Sequence, residues 1–142
     1  MINITSGTRH LKLTPYERLT ESEERAYSRI MVWVEFSVPA LKTEFAAEFF
    51  VGQLQQSRND MYGFHQAIKN GMKFKDINLT SAFDQVALKF HQANFSGTAG
   101  VSMVLKPENQ ADSITLEDSF DIDESYFPGL LSGLDDIISW QN

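Results

Sequence analysis

Hydrophobic residues alternate with polar ones along most of this chain and fall at three- and four-residue steps in two stretches, which predicts many strands and two helices. Ile30, Val32, Val34, Phe36 and Val38 share one phase, Met31, Trp33, Glu35 and Ser37 the other, and the β-branched and aromatic content favours a strand. Pro39 interrupts it. Leu41, Thr43, Phe45, Ala47, Phe49 and Val51 resume the alternation, and the short connection Pro39-Ala40 predicts an antiparallel hairpin. Upstream, Ile2 and Ile4, then Leu11 and Leu13, flank Ser6-Gly7-Thr8 and predict one or two short strands, the second ended by Pro15. Tyr16 to Arg25 is dense in charge with little apolar period, the pattern of an exposed connection or a short irregular helix.

Gly52 marks a change of period. Leu54, Met61, Phe64, Ile68 and Met72 lie at helical spacing, and Asn70-Gly71 predicts the stop, since both residues tolerate the left-handed conformation. Gly63 interrupts this helix at a cost of about 1 kcal/mol relative to alanine, so the helix is locally weak there or something packs closely against it. Phe74 to Leu79 predicts a short strand, and 86 to 93, 101 to 106 and 113 to 122 predict a meander around the turn-rich Asn94 to Gly100. The last of these strands alternates Ile114, Leu116, Asp118, Phe120 and Ile122 with Thr115, Glu117, Ser119 and Asp121. A second helix follows, with Phe127, Leu130, Leu131, Leu134, Ile137 and Ile138 on its apolar stripe and Pro128 early, where a missing amide costs least.

This order predicts a single α+β domain over residues 1–142: two layers, with a largely antiparallel sheet and the middle and C-terminal helices packed on one face. A chain of 142 residues buries roughly two-thirds of the surface its unfolded form exposes. It has no cysteine, which excludes disulfides, a thiol nucleophile and thiolate metal sites. The N-terminus shows no readable signal peptide and no apolar run approaches the ~20 residues that span a bilayer, so the expected location is cytoplasmic.

Charge changes the picture more than composition does. The formal net charge is -7, and after Lys106 there is no lysine or arginine, while Glu108, Asp112, Glu117, Asp118, Asp121, Asp123, Glu124, Asp135 and Asp136 all follow it. Such a segment disfavours nucleic acid and anionic membrane as partners, and a basic protein is the converse. Solubility alone is the simpler reason for an acidic surface.

Motifs for catalysis are missing from the sequence. Neither GxSxG nor HExxH occurs, and Gly97-Thr-Ala-Gly100 precedes a strand instead of a helix that opens on a phosphate. The three histidines, His10, His65 and His91, fall in separate elements, and His65 beside an apolar stripe reads as structural or exposed. Asp121-Ile-Asp123-Glu124 lacks the EF-hand pattern, and its separation across any cleft is not legible in sequence. Asp123 or Ser125 capping the last helix, with negative charge in its first turn, is the simplest reading, and contact with a partner is the next. Trp33 and Trp140 read as packing residues. No enzyme activity, cofactor or metal is expected.

The order of elements and several local patterns resemble the WapI-type immunity family, small proteins associated with polymorphic bacterial toxin systems. The resemblance lies in Met31-Val-Trp-Val-Glu-Phe36, the strand from Phe45, Phe50-Val-Gly-Gln-Leu54, Phe120-Asp-Ile-Asp-Glu-Ser-Tyr-Phe-Pro-Gly-Leu-Leu131 and Leu134-Asp-Asp-Ile-Ile138, and covers most of residues 28 to 140. It implies a non-enzymatic protein that binds and neutralises a cognate toxin. Toxins that attack nucleic acid carry basic clefts, and the partner-binding set expected to occupy one is Glu117, Asp118, Asp121, Asp123 and Glu124. Two other readings stay open: a small-molecule-binding or enzymatic domain with an apolar pocket between helices and sheet, and a homo-oligomer joined by strand edges through residues 41 to 51.

Overall fold

The computed structural model describes residues 1–19, 27–93 and 97–142. Among these residues the chain runs β1 (Ile2–Ser6), β2 (Arg9–Leu19), β3 (Arg29–Val38), β4 (Leu41–Phe50), α1 (Val51–Lys69), β5 (Ile77–Thr80), β6 (Val86–Gln92), β7 (Thr98–Leu105), β8 (Leu116–Asp123) and α2 (Phe127–Ile138). The fold is α+β, with antiparallel pairing throughout and both expected helices in place. The strands divide into two sheets, β1-β2-β3-β4 and β5-β6-β7-β8, where the pattern pointed to one. Alternation states which face of a strand is apolar but not which strand lies beside it.

The architecture is one arrangement given twice: a four-stranded meander, then a helix. The helices cross over between the halves. α1 packs against β5 of the second half, α2 packs against β1 of the first, and the two helices pack on each other. Buried residues from both sheets, such as Val32, Val34, Leu88 and Val101, join Leu54, Phe64, Phe127 and Leu134 of the helices in one hydrophobic cluster. Burying both helical stripes and one face of each sheet in a common core leaves neither half with an apolar face of its own to cover.

The hairpin between β3 and β4 turns at Pro39-Ala40, with Val38 opposite Leu41. β2 runs through Pro15 instead of ending there. Its pairing with β1 stops at Ile2 and Leu13, so beyond Leu13 one side of β2 has no strand partner, Asn142 bonding both backbone groups of Arg18 there, and the register on β3 shifts between Pro15 and Glu17. An edge and a bulge are the places a sheet tolerates proline. Tyr16 to Leu19 therefore belong to β2, and residues 20 to 25 of the expected connection lie outside the described residues.

α1 begins where Val51 donates its amide to Ser28 O at 2.9 Å, which takes the place of a side-chain cap. It ends at Lys69, and Gly71 takes φ +67°. The reversal leaves Met72 outside the helix and 64 % exposed, so Met72 leaves the buried stripe that includes Leu54, Met61, Phe64 and Ile68. At Gly63 close packing is the explanation: a Cβ there would stand 2.8 Å from Phe74 Cζ. Phe74 precedes β5 and covers α1, its ring edge-on to Phe64 at 6.2 Å. β7 starts at Thr98, earlier than its hydrophobic run, and β8 starts at Leu116, which leaves Ile114 60 % exposed in the preceding loop. Residues 94 to 96 of the expected turn are outside the described residues. Among the described residues no helix is long and apolar enough to cross a membrane.

Candidate functional site: the β8 face and the cleft beside it

β8 presents two faces of different chemistry. Glu117, Ser119, Asp121 and Asp123 are exposed on one, while Phe120 and Ile122 are buried on the other. Asp118 lies in phase with Phe120 and Ile122, so its carboxylate points toward the interior, where a charge needs a partner. Arg9 at the start of β2 supplies it, Nε to Oδ2 at 2.5 Å across the two halves. The hydrogen bond and charge of Asp118 hold the Arg9 guanidinium further above its usual range, so it stays protonated. Ser6 Oγ donates to Asp121 O at 3.0 Å, and the Tyr126 hydroxyl donates to Thr5 O. Together these contacts hold β1 and the head of β2 against β8 and the start of α2.

The five expected partner-binding acids separate accordingly. Glu117, Asp121 and Asp123 share the exposed face of β8. Asp118 is turned to Arg9. Glu124, first residue of a 3-10 turn over Glu124–Tyr126, has Oε1 3.6 Å from His65 Nε2. Asp123 caps that turn, accepting the Ser125 amide at 2.9 Å, so the cap expected for the last helix acts one short turn earlier. Elsewhere in the acidic third, Asp135 is taken by Arg58 of α1, Oδ1 to Nε at 3.0 Å. Among the described residues no basic side chain pairs with Glu117, Asp121 or Asp123.

A cleft of about 410 Å³ opens next to this face, within the range of ligand-sized sites. The hairpin turn contributes Val38, Pro39, Ala40 and Leu41, β3 contributes Phe36 and β7 contributes Met103. Leu116, Glu117 and Asp118 of β8 and Thr8 and Arg9 after β1 complete it, so the Arg9–Asp118 pair lies in its wall. The walls are thus mainly apolar, with one ion pair satisfied internally and one free carboxylate. Beneath the helices the situation differs. Where Ile2, Leu13, Phe49, Leu54, Leu79 and Ile137 converge, the packing leaves no room for a water molecule.

Arg9, Phe36, Leu41 and Met103 carried no signal of a site in sequence, since they come together only through the pairing of distant strands. The one available signal was Asp118 in the apolar phase of its strand, an inward carboxylate that demands a counter-charge. The histidines do not converge: His10 contacts Thr5 Oγ1 at 3.2 Å, His65 stacks on Phe127, and the His91 ring lies over Gly100. Among the described residues no three metal-ligating side chains are grouped. Trp33 is 38 % exposed on the outer face of its sheet, whereas Trp140 packs against the core. The chain matches no protein-family model and has no significant match among curated proteins.

Proposed function

We propose that this is a non-enzymatic binding protein that neutralises a basic toxin by covering it with the exposed face of β8. One observation carries the reading: Glu117, Asp121 and Asp123 stand in a row on one strand face without a basic partner among the described residues, while Asp118 and Asp135 are consumed by Arg9 and Arg58. Carboxylates without a cationic partner on one strand face create a negative potential that speeds encounter with a positive surface and rejects nucleic acid and anionic membrane. The WapI-type resemblance supports the class of partner.

The test is capture from lysate of the source organism at low and high salt, with the purified partner then assayed for toxicity with and without this protein. The reading expects one basic protein, recovered at low salt, whose toxicity the wild-type chain suppresses. It is rejected if no stoichiometric partner is recovered at either salt, or if the partner is equally toxic in the chain's presence. A second reading, a small-molecule-binding domain, draws on the cleft of about 410 Å³, and thermal stabilisation by a metabolite in the absence of any protein is its signature.

A further inference from the structure

We infer that the cleft bounded by Phe36, Leu41, Met103 and Leu116 receives an aliphatic or aromatic side chain of the basic partner, with a neighbouring lysine or arginine of that partner set on Glu117. This rests on the protein-binding reading above and specifies where the partner is anchored. The apolar walls are open to solvent at the rim, where Leu41 is 44 % exposed, and closed at the base, where Phe36 and Met103 are 4 % and 1 % exposed. A pocket of this kind is where a buried anchor side chain contributes most to an interface.

Charge selects the occupant. Arg9 already faces Asp118 at 2.5 Å, so its positive charge is answered inside the protein. Glu117, the next residue along, also lines the cleft and meets no cation among the described residues. The uncompensated charge at the cleft is therefore negative. An anionic ligand has to compete with Asp118 for Arg9 and stand beside Glu117, whereas an apolar group flanked by a cation satisfies both the walls and the free carboxylate. Geometry selects a protein over a small amine. Asp121 lies four residues from Glu117 on the same exposed face, about 13 Å along the strand, so a single partner surface spans cleft and acidic row together.

The test uses the full chain with labelled methionine methyls and labelled backbone amides, and as probes hexanoate and three blocked tripeptides: acetyl-Phe-Lys-Lys-amide, its alanine-for-phenylalanine control and its glutamate-for-lysine control. The Phe-Lys-Lys probe is expected to shift the Met103 methyl with a Kd on the order of 1 mM, a normal affinity for so small a fragment. The alanine and glutamate controls are expected to bind several-fold more weakly. Ala40→Trp, which fills the cleft from the exposed turn, is expected to abolish the shift, and Leu41→Ser to weaken it should the tryptophan variant not fold. Glu117→Gln is expected to weaken the lysine probe and to strengthen the glutamate control, whose repulsion by that carboxylate it removes. An unmoved Met103 methyl at the highest probe concentration overturns the inference, as does equal or tighter binding of the glutamate control or of hexanoate. A probe that shifts only groups around Asp121 and Asp123 overturns the cleft as anchor and leaves the acidic face standing, so the two readings fail separately.

Discussion

Gly133 of α2 lies directly against the backbone of Met1: a Cβ built on it would stand 2.4 Å from Met1 O and 2.9 Å from Ile2 Cγ1. This close approach lets the helix of the second half cover the first strand of the first half. Gly133→Ala is expected to push α2 away from β1 and cost about 1 to 3 kcal/mol, the usual range for forcing a methyl into a packed interface. Gly129, on the same helix with nothing within 4 Å of its built Cβ, is the control. Its alanine variant is expected to be neutral or to stabilise by up to about 1 kcal/mol through helix propensity. Urea unfolding of both variants checks the pair.

Arg9 and Asp118 join the two halves at the cleft, and the side chain of Asp118 is 20 % exposed. Asp118→Asn is expected to lower the thermal midpoint, because it leaves the guanidinium without its counter-charge in a partly buried wall. Glu117→Gln, one residue away and unpaired, is expected to leave the midpoint unchanged. An apolar pair, Arg9→Met with Asp118→Leu, is expected to recover part of the loss, which a thermal scan of the single and double variants reads directly.

His65 is 8 % exposed between the helices, stacked on Phe127 with ring centroids 5.1 Å apart and planes at 12°, and its Nε2 has no hydrogen-bond partner. Its contribution is therefore shape more than polarity. His65→Ala is expected to cost about 2 to 4 kcal/mol through the cavity it leaves. His65→Phe keeps the ring, removes the nitrogen that makes no hydrogen bond and gives up only the 3.6 Å approach of the exposed Glu124 carboxylate, and is expected to stay within about 1 kcal/mol of wild type. Chemical denaturation distinguishes the two.

Glu117→Lys with Asp121→Lys, both on the exposed face of β8, is expected to change stability by no more than about 0.5 kcal/mol, since neither side chain has a basic partner to lose. Equal unfolding curves for this variant and wild type would show that any change in its binding is a change of surface and not of fold. Asp123 is left in place because its carboxylate caps the turn before α2.

Local features were legible in the sequence where one segment decides them. The alternation from Ile30 to Phe49 defined β3, β4 and their hairpin, and the stripe of Leu54, Met61, Phe64 and Ile68 defined α1. Gly63 left two readings, a locally weak helix or a close neighbour, and Phe74 decides for the second. Features that depend on distant partners were not legible. Pro15 reads as a strand breaker until the pairing of β2 with β1 is seen to stop at Leu13, and Met72 and Ile114 fit a periodicity that the backbone has already left. The division into two sheets, the crossing of helices between halves and the cleft all rest on pairings such as Arg9 with Asp118, which are 109 positions apart. The acidity of β8 was visible, but which of its carboxylates remain free depended on those same pairings.

Association kinetics test the central claim most directly, using the basic partner purified after low-salt capture, the wild-type chain and the Glu117→Lys, Asp121→Lys variant. Wild-type association is expected to slow steeply as salt rises. At low salt the variant is expected to associate at least ~10-fold more slowly than wild type, with dissociation changed far less, because exposed charges act mainly on encounter. Identical association rates for the two proteins at every salt concentration would contradict the assignment of the β8 face as the binding surface.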